Sequence, residues 1–548
     1  MIILANKTGY LMLTEDKRTR YQGAYFFDNN ACWKTLECVQ HNEKIKETTH
    51  ALWSVERESE NTKEGYYLAH KGIIYENQDN KECTLILDCK RMDDNREWGR
   101  TYEISTEQQC IVVTYKKTNS NEEDNTNNDK EYEYCVAISG EQLEFLPLQN
   151  WIKHEYEYDE KRKSPPYHRW VYEALKFRTT VAIAYSFNKE EAITNAKNLL
   201  QNKEAYKKQS EEKTVQIIAK TKNLAKQCAL NSIYCLTTDT AIRAGLPWFY
   251  ETWSRDELIS TKAIISIDKE LATSILKKYA TFPIANKENG KLISADAPGW
   301  LFLRWKNLMN KAGLSGAETK ILRERIRLYL NSITWKDGLV FNNSNETWMD
   351  SVERNGCNIE VQALTLAAAK FLNQLGEKTI IEEELREQTR KHFWNGKWLF
   401  DEKNDQTIRP NVFLAAYAYP ELLTKEEWTT CFQNTLKKLW LPWGGISSID
   451  TTDKRFIREH TGEKPDSYHN GDSWYWINNI TAIVLHNHKG FDKYVQKIYD
   501  ASEKEILQMG AIGHHAELSS AKEQTSEGCP MQAWSAATFI ELCDELKK

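Results

Sequence analysis

The chain has 548 residues and little that would suit a nucleic acid, a membrane or a metal. It carries 79 Asp and Glu against 73 Lys and Arg, a net charge of −6. Without a basic excess nothing would hold a phosphate backbone, so no nucleic-acid partner is expected. No uninterrupted apolar run approaches membrane-spanning length, so no membrane span is expected. The opening MIILANKTGYLMLTEDK has neither a basic n-region nor an apolar stretch of useful length, so no signal peptide is expected. Twelve cysteines are scattered without CxxC or other metal-ligand spacing and read as reduced, mostly buried thiols of a cytoplasmic protein. Gly444-Gly445 is an ordinary turn, the P-loop signature is absent, and no metal or organic cofactor is implied.

Aromatic side chains are abundant, with 19 Trp, 26 Tyr and 17 Phe. Most belong to a large core, but indole and phenol faces also suit the C–H face of a pyranose. The chain is too long for one ordinary core, so at least two domains are expected. Residues 1–187 read as β. Short runs rich in β-branched and aromatic residues recur at 66–75, 84–89, 110–116, 132–138, 151–158 and 179–187. The polar run 118–130 is a loop between two of them, and its composition predicts disorder. Many short strands at this spacing suggest a β-sandwich-like domain.

From residue 188 to 548 the period becomes helical. Residues 190–200, 214–234, 268–282, 317–330, 380–394, 491–507 and 532–546 read as helices, and Thr424 to Glu427 forms a capping box before another. Three further helices, 359–375, 412–419 and 474–485, are apolar nearly all round and should be buried on every side. Amphipathic helices alternating with buried ones suggest an inner and an outer ring, an (α/α)6 barrel. A plain helical bundle is the competing architecture.

Polar-aromatic motifs precede the buried helices. They run GLPWFYETWSRD (245–256), SADAPGW (294–300), TWMD (347–350), RPN (409–411), LPWGG (441–445), SYHNGDSWYW (467–476), HAEL (515–518) and GCPMQAWS (528–535). Loops recurring once per helical hairpin would gather at one rim. Cleavage of a glycosidic bond needs two carboxyl groups, one to protonate the leaving oxygen and one to attack carbon or activate water. Asp350 follows two large apolar residues, with Glu346 and Glu353 nearby. This chemistry alone does not choose among the acids.

The order and wording of these loops resemble the amylo-α-1,6-glucosidase domain of glycogen-debranching enzymes, in its compact prokaryotic form. WSRDELIS, SADAPGW, ETWMD, IEVQAL, RPN, SYHNGDSW and GCPMQAWS all match family segments, over roughly residues 190–548. Before that, only RWVY (169–172) and the strand after it are similar. The resemblance implies an inverting hydrolase with Asp350 as general acid and Glu517 as general base. Glu523 and Glu527 compete with Glu517 for the second role. It further implies that Arg255, Asp256 and Asp296 hold the terminal glucose. Trp253, Trp300, Trp348, His469, Trp474, Gln532 and Trp534 complete the expected substrate site. His469 is expected to hydrogen-bond in the pocket and not to ligate metal. The implied substrate is a branched α-glucan, glycogen or its limit dextrin.

Departures from the family pattern are WSRD for WGRD, DAPGW for DAS-W, and a Glu517 segment without the following Asp-Gly. They bear on substrate length and linkage more than on reaction class. A glucoamylase- or trehalase-like α-glucosidase on the same barrel is the alternative enzyme. A non-catalytic glycan-binding protein is the alternative from another class.

Overall fold

The computed structural model describes residues 1–547 except 16, 42, 120–130, 142–144, 280 and 288–289. Most of the polar run 118–130 thus lies outside the described residues. The chain divides into two compact units, Met1–Lys220 and Thr221–Lys548.

The first unit is built on three antiparallel sheets of five, four and eight strands. The largest sheet runs, in spatial order, Arg100–Glu107, Cys110–Lys117, Tyr132–Gly140, Val181–Ser186, Gly72–Asn77, Lys63–Ala69, Ser54–Glu58 and Glu47–Ala51. Alternate residues face opposite ways. Ile111, Val113, Tyr115, Tyr134 and Val136 enter a core shared with Leu11, Phe26 and Leu85 of the other two sheets. Cys110, Val112, Cys135, Ala137, Ala182 and Ala184 point to the other face.

Two expected strands resolve differently. The run 66–75 is a hairpin of Lys63–Ala69 and Gly72–Asn77. The run 151–158 ends as strand Leu146–Glu155, and a short helix α1, Glu157–Lys161, follows it. The next two helices, α2 (Lys189–Gln201) and α3 (Lys203–Ile218), lie in the first of the two units. Ala192, Ile193, Ala196 and Leu199 of α2 pack on the small side chains of the sheet's second face. A Cβ on Gly72 would come within 2.5 Å of Leu199, so glycine is what lets the helix approach.

Twelve helices lie in the second unit among the described residues. They are α4 (Leu224–Leu236), α5 (Ser254–Ile267), α6 (Lys269–Lys278), α7 (Ala297–Ala312), α8 (Gly316–Ser332), α9 (Ile359–Gln374), α10 (Ile381–Phe393), α11 (Asn411–Ala418), α12 (Lys425–Leu439), α13 (Tyr475–His486), α14 (Asp492–Gln508) and α15 (Ala533–Glu545). The expected helix 214–234 is two helices. Asn223 accepts from the Lys226 amide and caps α4, so its side chain competes with helix continuation at that point. The capping box at Thr424 and Glu427 is present.

The odd-numbered helices of this unit form a closed circuit. α5 packs on α7, α7 on α9, α9 on α11, α11 on α13, α13 on α15, and α15 back on α5. The even-numbered helices lie against them: α4 on α15, α6 on α5 and α7, α8 and α10 on α9, α14 on α13. Phe432 of α12 stacks on Phe413 of α11 at 5.6 Å. Burial follows this division. Nearly every residue of α9, α11 and α13 is buried, whereas α8 and α10 bury only a stripe. A helix enclosed by neighbours and by an outer layer has no face left for polar side chains. The circuit is closed at its ends by chain-distant pairing: Gly245–Leu246 is antiparallel to Met531–Gln532, and the Ala533 amide donates to the Ala244 carbonyl at 2.8 Å.

Candidate active site

The loops that enter the inner helices meet around a cavity of about 200 Å³. Of the twelve residues expected from sequence, nine line it: Trp253, Arg255, Asp256, Trp348, Asp350, Trp474, Glu517, Gln532 and Trp534.

Asp350 sits on the loop before α9, and that loop is held from several sides. Asn342 and Gly356 exchange backbone hydrogen bonds of 2.9 and 3.0 Å across its neck. Within it, Arg354 donates to Glu360, Asp401 and Thr347. The Trp348 indole donates to Asn411 Oδ1 at 2.6 Å. Asp350 does not cap α9, since Asn358 occupies that position.

Glu517 is fixed even more tightly. Its amide donates to the Cys529 carbonyl, and its carbonyl accepts from the Tyr475 amide. The Cys529 amide donates to Oε2 at 2.9 Å, and the Tyr468 hydroxyl donates to Oε1. Gly528 has φ +66°, and a Cβ there would lie 2.4 Å from Oε2. Only glycine allows both this turn and the closeness of the carboxylate.

The two carboxyls occupy unlike surroundings. Glu517 is 2% exposed. Burial drives its pKa up to about 7, against the Tyr468 and Cys529 hydrogen bonds that hold it down. Asp350 is solvent-exposed within the open part of the cavity, yet the surrounding protein still raises its pKa, with Arg255 opposing. Open water screens that effect, so a ligand that displaced the water would raise the pKa further. Asp256, buried in the first turn of α5, is also raised to about 7, chiefly by burial and against Arg255. It accepts from Gln532 Nε2 at 2.8 Å.

Three expected residues stand outside the cavity. Asp296 lies behind Arg255, its two carboxylate oxygens accepting from the Arg255 Nε at 2.9 Å and Oδ2 also accepting from the Trp348 amide at 3.1 Å. It orients the wall and does not line it. Trp300 is 1% exposed inside the helix circuit, with the Arg304 guanidinium 5.2 Å over its ring. His469 is fully buried behind Trp474, stacked on it at 5.0 Å, with Nδ1 2.6 Å from Ser351 Oγ. Burial and the nearby arginines push its pKa well below the usual value, so it is neutral. Ala244, Phe249 and Tyr468 line the cavity without having been singled out from sequence. The signal for Tyr468 was its place beside His469 in SYHNGDSW.

An aromatic frame backs these groups. Trp348 meets Trp474 and Trp476 edge-on at 5.5 and 5.2 Å, and Trp476 stacks on Trp534 at 5.0 Å. Three polar atoms of the lining have no partner among the described residues: the indole nitrogens of Trp253 and Trp534, and Gln532 Oε1. Two donors and an acceptor in an aromatic wall with carboxylates suit a small polyhydroxylated ligand. Among the described residues no group of three or more His, Cys, Asp or Glu could hold a metal, and no helix is long and apolar enough to cross a membrane.

The solved structure of a bacterial glucoamylase complexed with acarbose superposes with a TM-score of 0.61 at 11% identity, covering 98% of this chain and 96% of that one. At this identity the likeness is one of fold. A GH63 mannosylglycerate hydrolase from Thermus thermophilus gives a TM-score of 0.44 at 13% identity, over 59% of this chain and 100% of that one. No curated protein sequence matches the chain. Residues 310–541, a stretch that includes Asp350 and Glu517 but not Arg255, Asp256 or Asp296, match the amylo-alpha-1,6-glucosidase family model, and this stretch is therefore of glycoside hydrolase type.

Proposed function

We propose that the chain is an inverting glycoside hydrolase that removes α-1,6-linked glucose from the branch points of glycogen-like α-glucans. The closed circuit of six inner helices is read as an (α/α)6 barrel, and the three-sheet unit as β-sandwich-like. The observation that carries the reading is the pairing of Asp350 and Glu517 in one small aromatic cavity with unpartnered hydrogen-bonding atoms. At about 200 Å³ it is smaller than the ~300–1,000 Å³ typical of pockets for drug-sized ligands, which favours a single sugar ring.

Asp350, on the open side, is the general acid and protonates the glycosidic oxygen as the rest of the glucan departs through the mouth. Glu517, on the enclosed side, is the general base and removes a proton from the water that attacks the anomeric carbon. Inversion requires the carboxyls roughly 6.5–9.5 Å apart, with room for that water. Arg255, Asp256, Gln532, Trp253 and Trp534 hold the glucose hydroxyls. Trp348 and Trp474 shape the wall. The enzyme is cytoplasmic and acts on branches trimmed beforehand by another activity.

Reducing-sugar release from isomaltose-type and glucosyl-cyclodextrin substrates, against maltose and trehalose, tests the linkage, and NMR of the first product tests the stereochemistry. β-Glucose from the α-1,6 substrates is expected. Preference for maltose or trehalose would instead support the second reading, a glucoamylase- or trehalase-like enzyme, which the full-length likeness to a glucoamylase fold favours. Binding without hydrolysis would leave a glycan-binding protein.

The base must be ionised, and its pKa is raised to about 7. With Asp350 protonated, activity should therefore fall about tenfold per pH unit below 7. Tyr468→Phe removes a hydrogen bond to the charged form, worth roughly 1.5–3 kcal/mol, so the acid limb should move up by roughly one to two pH units. Above the shifted limb both proteins should lose activity in parallel as Asp350 ionises. A pH–rate profile that does not move would separate Tyr468 from the base.

A further inference from the structure

Of the three exposed tryptophans described in the β unit, Trp98, Trp151 and Trp170, the last two share one sheet face. They sit on the paired strands Leu146–Glu155, an edge strand, and His168–Phe177. Trp151 pairs with Tyr172 and Lys153 with Trp170, so all four side chains project from one face. Trp151 is 36% exposed and Trp170 46%. Arg100 fixes the Trp151 ring and the Trp170 backbone. Its guanidinium lies 4.8 Å over the Trp151 ring, its Nη1 donates to the Trp170 carbonyl at 2.7 Å, and its Nη2 donates to buried Asp88 at 2.9 Å. Beneath Trp151, Tyr172 stacks on Tyr102 at 4.3 Å.

We propose that Trp151 and Trp170 form a docking platform for the outer chains of an α-glucan, in addition to the catalytic cavity. This rests on the reading of the protein as an α-glucan hydrolase. Two features select the occupant. The lysine on this face, Lys153, is paired with Glu155 at 2.9 Å, so the face favours a neutral hydroxylated ligand over an acidic one. The exposed parts of the two indoles, 36% and 46% of roughly 250 Å² each, come to on the order of 200 Å² together. A stable protein interface needs about 800 Å² per partner. A few glucose rings laid on the indoles need far less. Rigid aromatic faces lose little entropy on binding, which suits a repeating polymer held weakly at many points.

The test is electrophoresis of the full chain through native gels with and without glycogen, using the unaltered protein and W151A/W170A. Hydrolysis of an isomaltose-type disaccharide is measured in parallel, and W170A alone, the more exposed position, guards against misfolding of the double variant. Glycogen should retard the unaltered protein, and the double variant should need at least fivefold more glycogen for equal retardation. W170A should show an intermediate loss, and disaccharide turnover should be unchanged in both. Equal retardation of all three proteins, or none for the unaltered one, would overturn the platform. Loss of a dimer in W151A/W170A with glycogen retardation intact would overturn it too, by assigning the face to a second copy. Retardation that needs the tryptophans, in a protein that hydrolyses no α-1,6-glucoside, would sustain the platform and sink the proposed activity.

Discussion

Asp350→Asn should lower turnover of α-1,6-linked substrates by about 10²–10⁴-fold, the usual contribution of a general acid. The amide keeps the size and polarity of the side chain but has no proton to give at the required acidity. The loop carrying it is held by Arg354, Asn342 and Gly356, none of which touches the Asp350 carboxyl, so the fold should be unaffected. The discriminating measurement uses a leaving group that needs no proton. On α-glucosyl fluoride the variant should lose far less activity than on a disaccharide. Equal losses on both would remove Asp350 from the role of acid, and near-normal disaccharide turnover would remove it from the mechanism.

Glu517→Gln should cost a similar ~10²–10⁴-fold on both kinds of substrate, because the attacking water needs a base whatever the leaving group. In Glu517→Ala, added azide needs no deprotonation and should restore turnover with a β-configured product. An α-configured product would point to retention. The same residue also bears on stability. Its carboxyl titrates at about 7 when folded, against an ordinary value of 4.5, so folding takes up a proton between those values. Stability from this group is full below about 4.5 and is lost as pH rises through 7. The loss is at most ~3 kcal/mol. Glutamine carries no charge at any pH and escapes it. The variant should therefore melt a few degrees higher than the unaltered protein at pH 8, with the gap closing near pH 5. A gap that widened toward low pH would contradict the buried, proton-binding state of Glu517. Gain of stability with loss of turnover is what a carboxylate kept for chemistry should show.

What the amino-acid order determines here is local. A period of 3.6, caps such as Thr424 with Glu427, and all-apolar runs such as 359–375 specify helices and tell buried ones from half-exposed ones, because these depend on neighbours within a few turns. The motif loops before the inner helices were legible as loops, but Asp350 and Glu517 were singled out only through the family resemblance, because the chemistry of a lone carboxyl does not choose among the acids. Tertiary structure decided what no local pattern contains. Helix α2 joined the β unit because a sheet face of alanines, cysteines and valine was waiting for it. Asp296 turned to Arg255 and left the cavity wall, since a buried guanidinium needs a carboxylate more than the cavity needs another acid. Trp300 and His469, polar-aromatic by motif, were taken up by the core behind the wall. Tyr468 reached Glu517 across 49 residues of chain. The destinations of these side chains depend on which distant segment packs opposite, and that is set only when α15 closes on α5.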